Sequence, residues 1–268
     1  MMGRQLVLWG VLASLLVSCE RWLTTCVGAA PCLAGAGFGS RLMMGLDASA
    51  ILLVGATVSF ATRAVWLLLA CAREARRLAD VECLPALADL AQALGVRCLR
   101  VLAADVPLAF CAEALRPVVH LSVGLWTRLE SEQLEAVLLH ELDHAARREP
   151  LRRAFMQAAS EIGFFLPVLG WLRALRFERS ELRADRRAIE RLGPRAVALA
   201  LWALDSEPGP AAFPAFAGAA SLRVAQLLGD PIPRRRPQAA IIAASLLGAL
   251  FAVAIVNCAA EVVVFLLR

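Results

Sequence analysis

The chain has 268 residues, 60% of them hydrophobic and only 19% charged. An ordinary soluble domain is about 45–50% apolar and about 25% charged, so a single soluble globular domain is excluded, and so is a disordered scaffold, which lacks apolar content. The net charge of +5 rests on arginine alone, because the chain has no lysine; it also has no tyrosine and three histidines, His120, His140 and His144.

Residues 5–19 follow Arg4 as an apolar run with no small-residue cleavage site before Glu20 and Arg21, which reads as an uncleaved first membrane helix. Residues 26–40, rich in glycine and alanine with Pro31, read as a loop. A second span covers 48–71, with Arg63 snorkelling near the cytoplasmic interface. Residues 84–94 form a short amphipathic helix closed by Gly95, and the apolar runs 96–102, 107–112 and 117–121 form a small antiparallel sheet. Ser131 is a good N-cap with Glu132 in the first turn, and it opens a helix through Arg148 that Pro150 follows. Residues 164–172 are apolar but too short to span, which suits a membrane-dipping or buried hairpin around Pro167. A second helix runs from 175 to 192 and stops at Gly193-Pro194; residues 206–217, with three prolines, are a loop. Residues 239–267, whose one charge is Glu261, form the clearest span.

Arginine clusters flank these spans. Arg73, Arg76 and Arg77 follow the second, and Arg234, Arg235 and Arg236 precede the last. Such runs are topology signals before they are nucleic-acid contacts, and they place the block between them in the cytoplasm. The division is therefore 1–71 for two N-terminal membrane helices, 72–230 for a cytoplasm-facing domain, and 231–268 for a linker and final membrane helix. The fold class is α+β, mostly helical, in a multi-pass membrane protein. Eight cysteines show no CxxC pair and read as free thiols, Cys26 and Cys32 being the one pair that an extracytoplasmic loop would oxidise.

His140-Glu141-Leu142-Asp143-His144 carries the chemistry. On a helix the two histidines stand one turn apart on one face and reach the same ion. Glu141 lies beside them, where a general base takes a proton from a metal-activated water. A catalytic zinc takes three protein ligands and keeps one position open. No histidine remains downstream, so the third ligand is a carboxylate of the second helix: Glu178, Glu181 or Asp185. Asp143, one turn before Arg147, reads as an ion pair, and Glu178 as a solvated charge between Arg176 and Arg179. His120 reads as a packed or hydrogen-bonded core residue. The strand around it, with Val118 and Val119, is the candidate edge that holds a substrate backbone by strand addition.

The motif together with ELRAD at 181–185 resembles the gluzincin membrane metallopeptidases, most closely those of the BlaR/MecR antirepressor type and more distantly the HtpX and CAAX prenyl protease type. Supporting stretches are RPVVHLSVGL at 116–125, FFLPVLGW at 164–171, FERSE at 177–181 and SLRVAQLL at 221–228, so the likeness covers about 84–230. It implies His140, His144 and Glu181 as ligands of one zinc ion, Glu141 as general base, and Asp185 orienting a ligand imidazole. Ala184 stands where the family often has cysteine, and Leu166 where a histidine usually precedes the proline. The chain ends at Arg268 without the sensor domain that the family's sensor members carry after the last span.

The expected activity is that of a membrane zinc metalloendopeptidase of the bacterial inner membrane, facing the cytoplasm and acting on a protein or peptide. One alternative is an antirepressor that cleaves a cytoplasmic transcriptional repressor or itself. Another is a non-catalytic scaffold with a structural zinc. The lipid bilayer is a partner, and no direct nucleic acid contact is expected.

Overall fold

The computed structural model describes the backbone of residues 38–205 and 219–266, and the side chains of 53–204 and 219–255. The expected span at 5–19, most of the 26–40 loop with Cys26 and Cys32, and the 206–217 loop lie outside the described residues. In chain order the elements are α1 (Phe38–Arg77), β1 (Asp80–Val81), α2 (Pro85–Leu94), β2 (Leu99–Leu102), β3 (Ala109–Ala112), β4 (Val118–Ser122) and α3 (Val123–Trp126). They continue with α4 (Ser131–Ala146), α5 (Glu149–Ile162), α6 (Pro167–Leu192), α7 (Pro194–Asp205), α8 (Ala220–Leu227) and α9 (Ala239–Leu266). One compact unit is Val54–Val253, and the other is Met1–Leu53 with Ala254–Arg268. In the second unit the described residues are the helical ends of α1 and α9. All that follows concerns the first.

Among the described residues, Leu53–Arg77 of α1 is the one helix long and apolar enough to cross a membrane. Its Val54, Val58, Val65 and Leu69 are exposed, so it is no core helix; an apolar surface of this extent suits lipid. The part Ala239–Ile255 of α9 is a shorter apolar helix. Arg63 has partners inside the protein, which the sequence did not show. Its guanidinium pairs with Glu161 of α5 through two hydrogen bonds, one of 3.1 Å, and lies 4.4 Å over the Trp66 ring. Both charges are answered within the protein.

The sheet has the order β1-β2-β4-β3. β3 and β4 form the expected antiparallel hairpin, but β2 and β4 run parallel, so the sheet is mixed. The cause is placement: the hairpin enters with β4 inward, and β3 lands on the far side. β4 is therefore a central strand with its backbone paired on both sides, and all five of its residues are buried. This corrects the expected role of Val118, Val119 and His120 as a free edge. The edge on that side is β3. Strand β1, two residues long, is too short for any alternation to show in the sequence.

β4 turns directly into α3 because Ser122 caps it: its Oγ accepts from Leu125 N (3.1 Å) and Leu108 N (2.8 Å). In the first turn of α3, a Cβ on Gly124 would overlap the Asp105 carbonyl. Gly124→Ala is therefore expected to cost about 1–3 kcal/mol of stability, as overpacking does. An unchanged melting temperature would show that this junction yields without strain.

Helix α4 begins one residue earlier than expected, with Glu130 as N-cap and its N–H donating to Gln133 Oε1 at 3.2 Å. Leu134, Val137 and Leu138 bury one face, the i, i+3, i+4 spacing of an amphipathic helix. They meet Leu121 of β4, Leu125 of α3 and Ala188 of α6 in the core. α6 approaches α4 through Ala184 and Ala188, both fully buried, and the small side chains let the two backbones come close. Helix α6 starts at Pro167, eight residues before the expected second helix, with proline in its first turn. The expected hairpin at 164–172 thus reduces to a short turn before Pro167, with Phe164 exposed. There Ser245 of α9 accepts from Val168 N at 2.9 Å.

Candidate metal centre

Helix α4 supplies His140, Glu141 and His144, and α6 supplies Glu181 and Asp185; all five are buried. His140 Nε2 lies 3.1 Å from His144 Nε2. Glu181 Oε2 is 3.5 Å from His140 Nε2, and its Oε1 is 3.4 Å from His144 Nε2. Among the described residues these three form the group able to hold a metal ion. A tetrahedral ion bound at about 2.0–2.1 Å separates its ligand atoms by about 3.3 Å; the three separations are of that size, two of them running to different oxygens of the Glu181 carboxylate. Two imidazoles and one carboxylate also make a donor set that zinc accepts in a site with an open position. The residues fit the ion.

The surroundings orient these donors. Asp185 Oδ1 accepts from His140 Nδ1 at 2.8 Å. That bond fixes the tautomer, leaving the Nε2 lone pair for the shared point. Asp185 is in turn held by Arg223 of α8, whose Nε and Nη2 reach its two oxygens at 2.6 Å each. Arg223 Nη1 also stands 3.5 Å from Glu181 Oε2, and Arg153 Nη2 of α5 donates to Glu181 Oε1 at 2.6 Å.

Charge follows this wiring. Burial works against a charged His140, yet hydrogen bonds to Asp185 and Glu181 outweigh it and hold the ring up at about 9. Burial and the neighbouring His140 charge push His144 down to about 3. Burial would raise Glu181, but His140, His144 and Arg153 hold it well below the carboxylate range. Burial raises the Glu141 carboxyl against the pull of His140, Arg153 and Arg223. A carboxylate made more basic in this way is suited to take a proton. Beside His140 and Glu141 lies a cavity of about 20 Å³, room for about one water molecule, walled by Val137, Val197, Ala200 and Leu201.

The other sequence candidates fall elsewhere. Glu178 is buried rather than solvated, and Arg235 holds it at 2.6 Å, apart from the donor cluster. Asp143 pairs with Arg147 as expected (3.3 Å) and more closely with Arg183 of α6 (2.9 Å), which ties α4 to α6. His120 is fully buried, with Nδ1 3.2 Å from the Val118 carbonyl and its ring stacked on Phe110 at 4.8 Å. Burial lowers its pKa, so it stays a neutral core residue. Cys71, Cys83, Cys98 and Cys111 are free thiols. Arg153 and Arg223 were given no role by the sequence. Their roles become legible only once the partner carboxylates are in place, Glu181 for Arg153 and Asp185 for Arg223.

The family model described as BlaR1 peptidase M56 matches residues 39–198, more than half of the chain. No curated protein matches it.

Proposed function

The chain belongs to the BlaR1 peptidase M56 family, and we propose that it is a membrane-embedded, zinc-dependent metalloendopeptidase with Glu141 as general base. The observation that carries this reading is the convergence of His140 Nε2, His144 Nε2 and the Glu181 carboxylate to within 3.5 Å of one another, with Glu141 beside them on α4. His140, His144 and Glu181 would hold the ion. When bound, zinc polarises a carbonyl and lowers the pKa of a water to about 7. The chain's own residues do the rest. Asp185 keeps the His140 ring turned with Nε2 inward. The Glu141 carboxylate takes the proton of the attacking water and passes it to the departing amide nitrogen. A structural zinc needs no such base, which weighs against the scaffold reading.

In this proposal the protein is multi-pass in a bacterial inner membrane. The arginines around 73–77 and 234–236 keep the catalytic block on the cytoplasmic side. Family membership favours a signalling use, cleavage of a cytoplasmic transcriptional repressor. The check is whether a co-expressed repressor encoded beside this chain is cut by wild type and spared by Glu141→Gln.

The ligand set has a direct test. Glu181→Ala is expected to lose stoichiometric zinc, measured by metal analysis of the purified protein. Glu178→Ala is expected to keep it, since Glu178 is committed to Arg235. Zinc retained in the first and lost in the second would move the third ligand to Glu178.

A further inference from the structure

We propose that Arg153 is a catalytic residue: its guanidinium donates to the carbonyl oxygen of the scissile peptide bond as negative charge develops there. This rests on the metallopeptidase reading above and extends it to substrate contact.

Attack by water turns a planar, neutral carbonyl into a tetrahedral centre bearing an oxyanion, and a protease stabilises that charge with donors already in place. Composition narrows the choice in this chain. There is no tyrosine and no lysine. Of the three histidines, two belong to the donor cluster, and His120 is sealed in the core against Phe110. Two arginines touch the cluster. Arg223 is locked in place, with both Asp185 oxygens taken and a side chain 3% exposed.

Arg153 differs in each respect. Its side chain is 40% exposed, against 5% for the Glu181 it bonds. One N–H is fixed on Glu181 Oε1 at 2.6 Å. The guanidinium lies 4.7 Å over the Phe177 ring, which holds its plane while leaving solvent access. Arg153 thus holds the ligand carboxylate with one N–H while its side chain stays open to an entering peptide. Among the described residues touching the donor cluster, it alone combines a permanent charge with an open face.

The step balances without any change in Arg153. The water oxygen forms its bond to the carbonyl carbon as Glu141 takes the proton, and the π pair moves onto the carbonyl oxygen. The guanidinium N–H groups donate to that oxygen. When the pair returns, the carbon–nitrogen bond breaks and the proton passes from Glu141 to the departing nitrogen.

The test uses the full chain in detergent, a mixture of internally quenched fluorogenic peptides, and the variants Arg153→Ala and Arg153→Lys. Arg153→Ala is expected to keep stoichiometric zinc and an unaltered visible spectrum when loaded with Co2+. Its KM should shift by no more than a few-fold, while kcat falls by about 10²–10³. Arg153→Lys should recover part of that loss. Because the side chain is open to solvent, free guanidinium ions should rescue Arg153→Ala. Three results would overturn the proposal: kcat unchanged in Arg153→Ala; zinc or the Co2+ spectrum lost in both variants, which would reduce Arg153 to a support for Glu181; or no rescue by either lysine or guanidinium. A zinc-loaded wild type that cuts none of the peptides, or a Glu141→Gln variant as active as wild type, would sink the peptidase reading itself.

Discussion

Replacing Glu141 by glutamine is expected to lower kcat for peptide hydrolysis by about 10²–10⁴, the span that general-base catalysis supplies, while zinc stays bound. The substitution is nearly isosteric. It removes the carboxylate that accepts the proton and touches none of the three donor atoms, since Glu141 stands beside the cluster rather than in it. Stability should hold or rise. Glu141 is buried, and burial already pushes its carboxyl toward the neutral form, so a neutral amide relieves a desolvated charge. Metal analysis, a melting curve and a peptide-cleavage rate on the same preparation separate these effects. Hydrolysis at the wild-type rate with full zinc occupancy would remove Glu141 from the mechanism and with it the reason for reading the site as catalytic. Loss of zinc instead would make Glu141 part of the metal site.

How far the site was legible follows from the range of each interaction. His140, Glu141 and His144 lie within two helical turns, so the 3.6-residue period alone placed the histidines on one face. Glu181 and Asp185 are also one turn apart, and their spacing was readable. Which of the neighbouring carboxylates faces the histidines was not, because that depends on the packing of α6 on α4. Glu178 looked solvated among arginines, yet Arg235, 57 residues away, claims it. The sheet failed in a similar way. Short valine-rich runs announce strands but not their order, and β4 became central because the β3–β4 hairpin inserts with β3 outermost.

Helix α5 was missed altogether, and with it Arg153. Pro150 reads as the end of α4, and α4 does end nearby. The same proline sits in the first turn of the next helix, where its missing N–H costs nothing. The left-handed backbone of Arg148 (φ 51°) makes the bend between the two helices. A residue with an ordinary side chain in that conformation gives no sequence signal, unlike the glycine that closes α2.

The largest effect on stability belongs to Arg223. Arg223→Met is expected to destabilise the domain by about 3–5 kcal/mol, the usual result of removing one partner of a buried ion pair. Asp185 is 1% exposed. Without the two 2.6 Å bonds from Arg223 it keeps the hydrogen bond from His140 Nδ1, which cannot serve both carboxylate oxygens. Adding Asp185→Asn should recover much of the loss, because removing both charges of a buried pair is often close to neutral. The double variant and the two single ones make a cycle that isolates the pairwise coupling.

The acid limb checks the same pair. Burial works to raise Asp185, but hydrogen bonds from His140 and Arg223 outweigh it and depress its folded pKa. A depressed carboxyl contributes stability that is present above its unfolded value, about 3.9, and lost as pH falls through the folded one. Arg223→Met removes part of that depression, so its melting temperature should fall less steeply than that of wild type as the pH drops below about 4. Parallel acid limbs and equal stability at neutral pH would show that Arg223 does not hold Asp185 in solution, and the orientation of His140 would then rest on α6 packing alone.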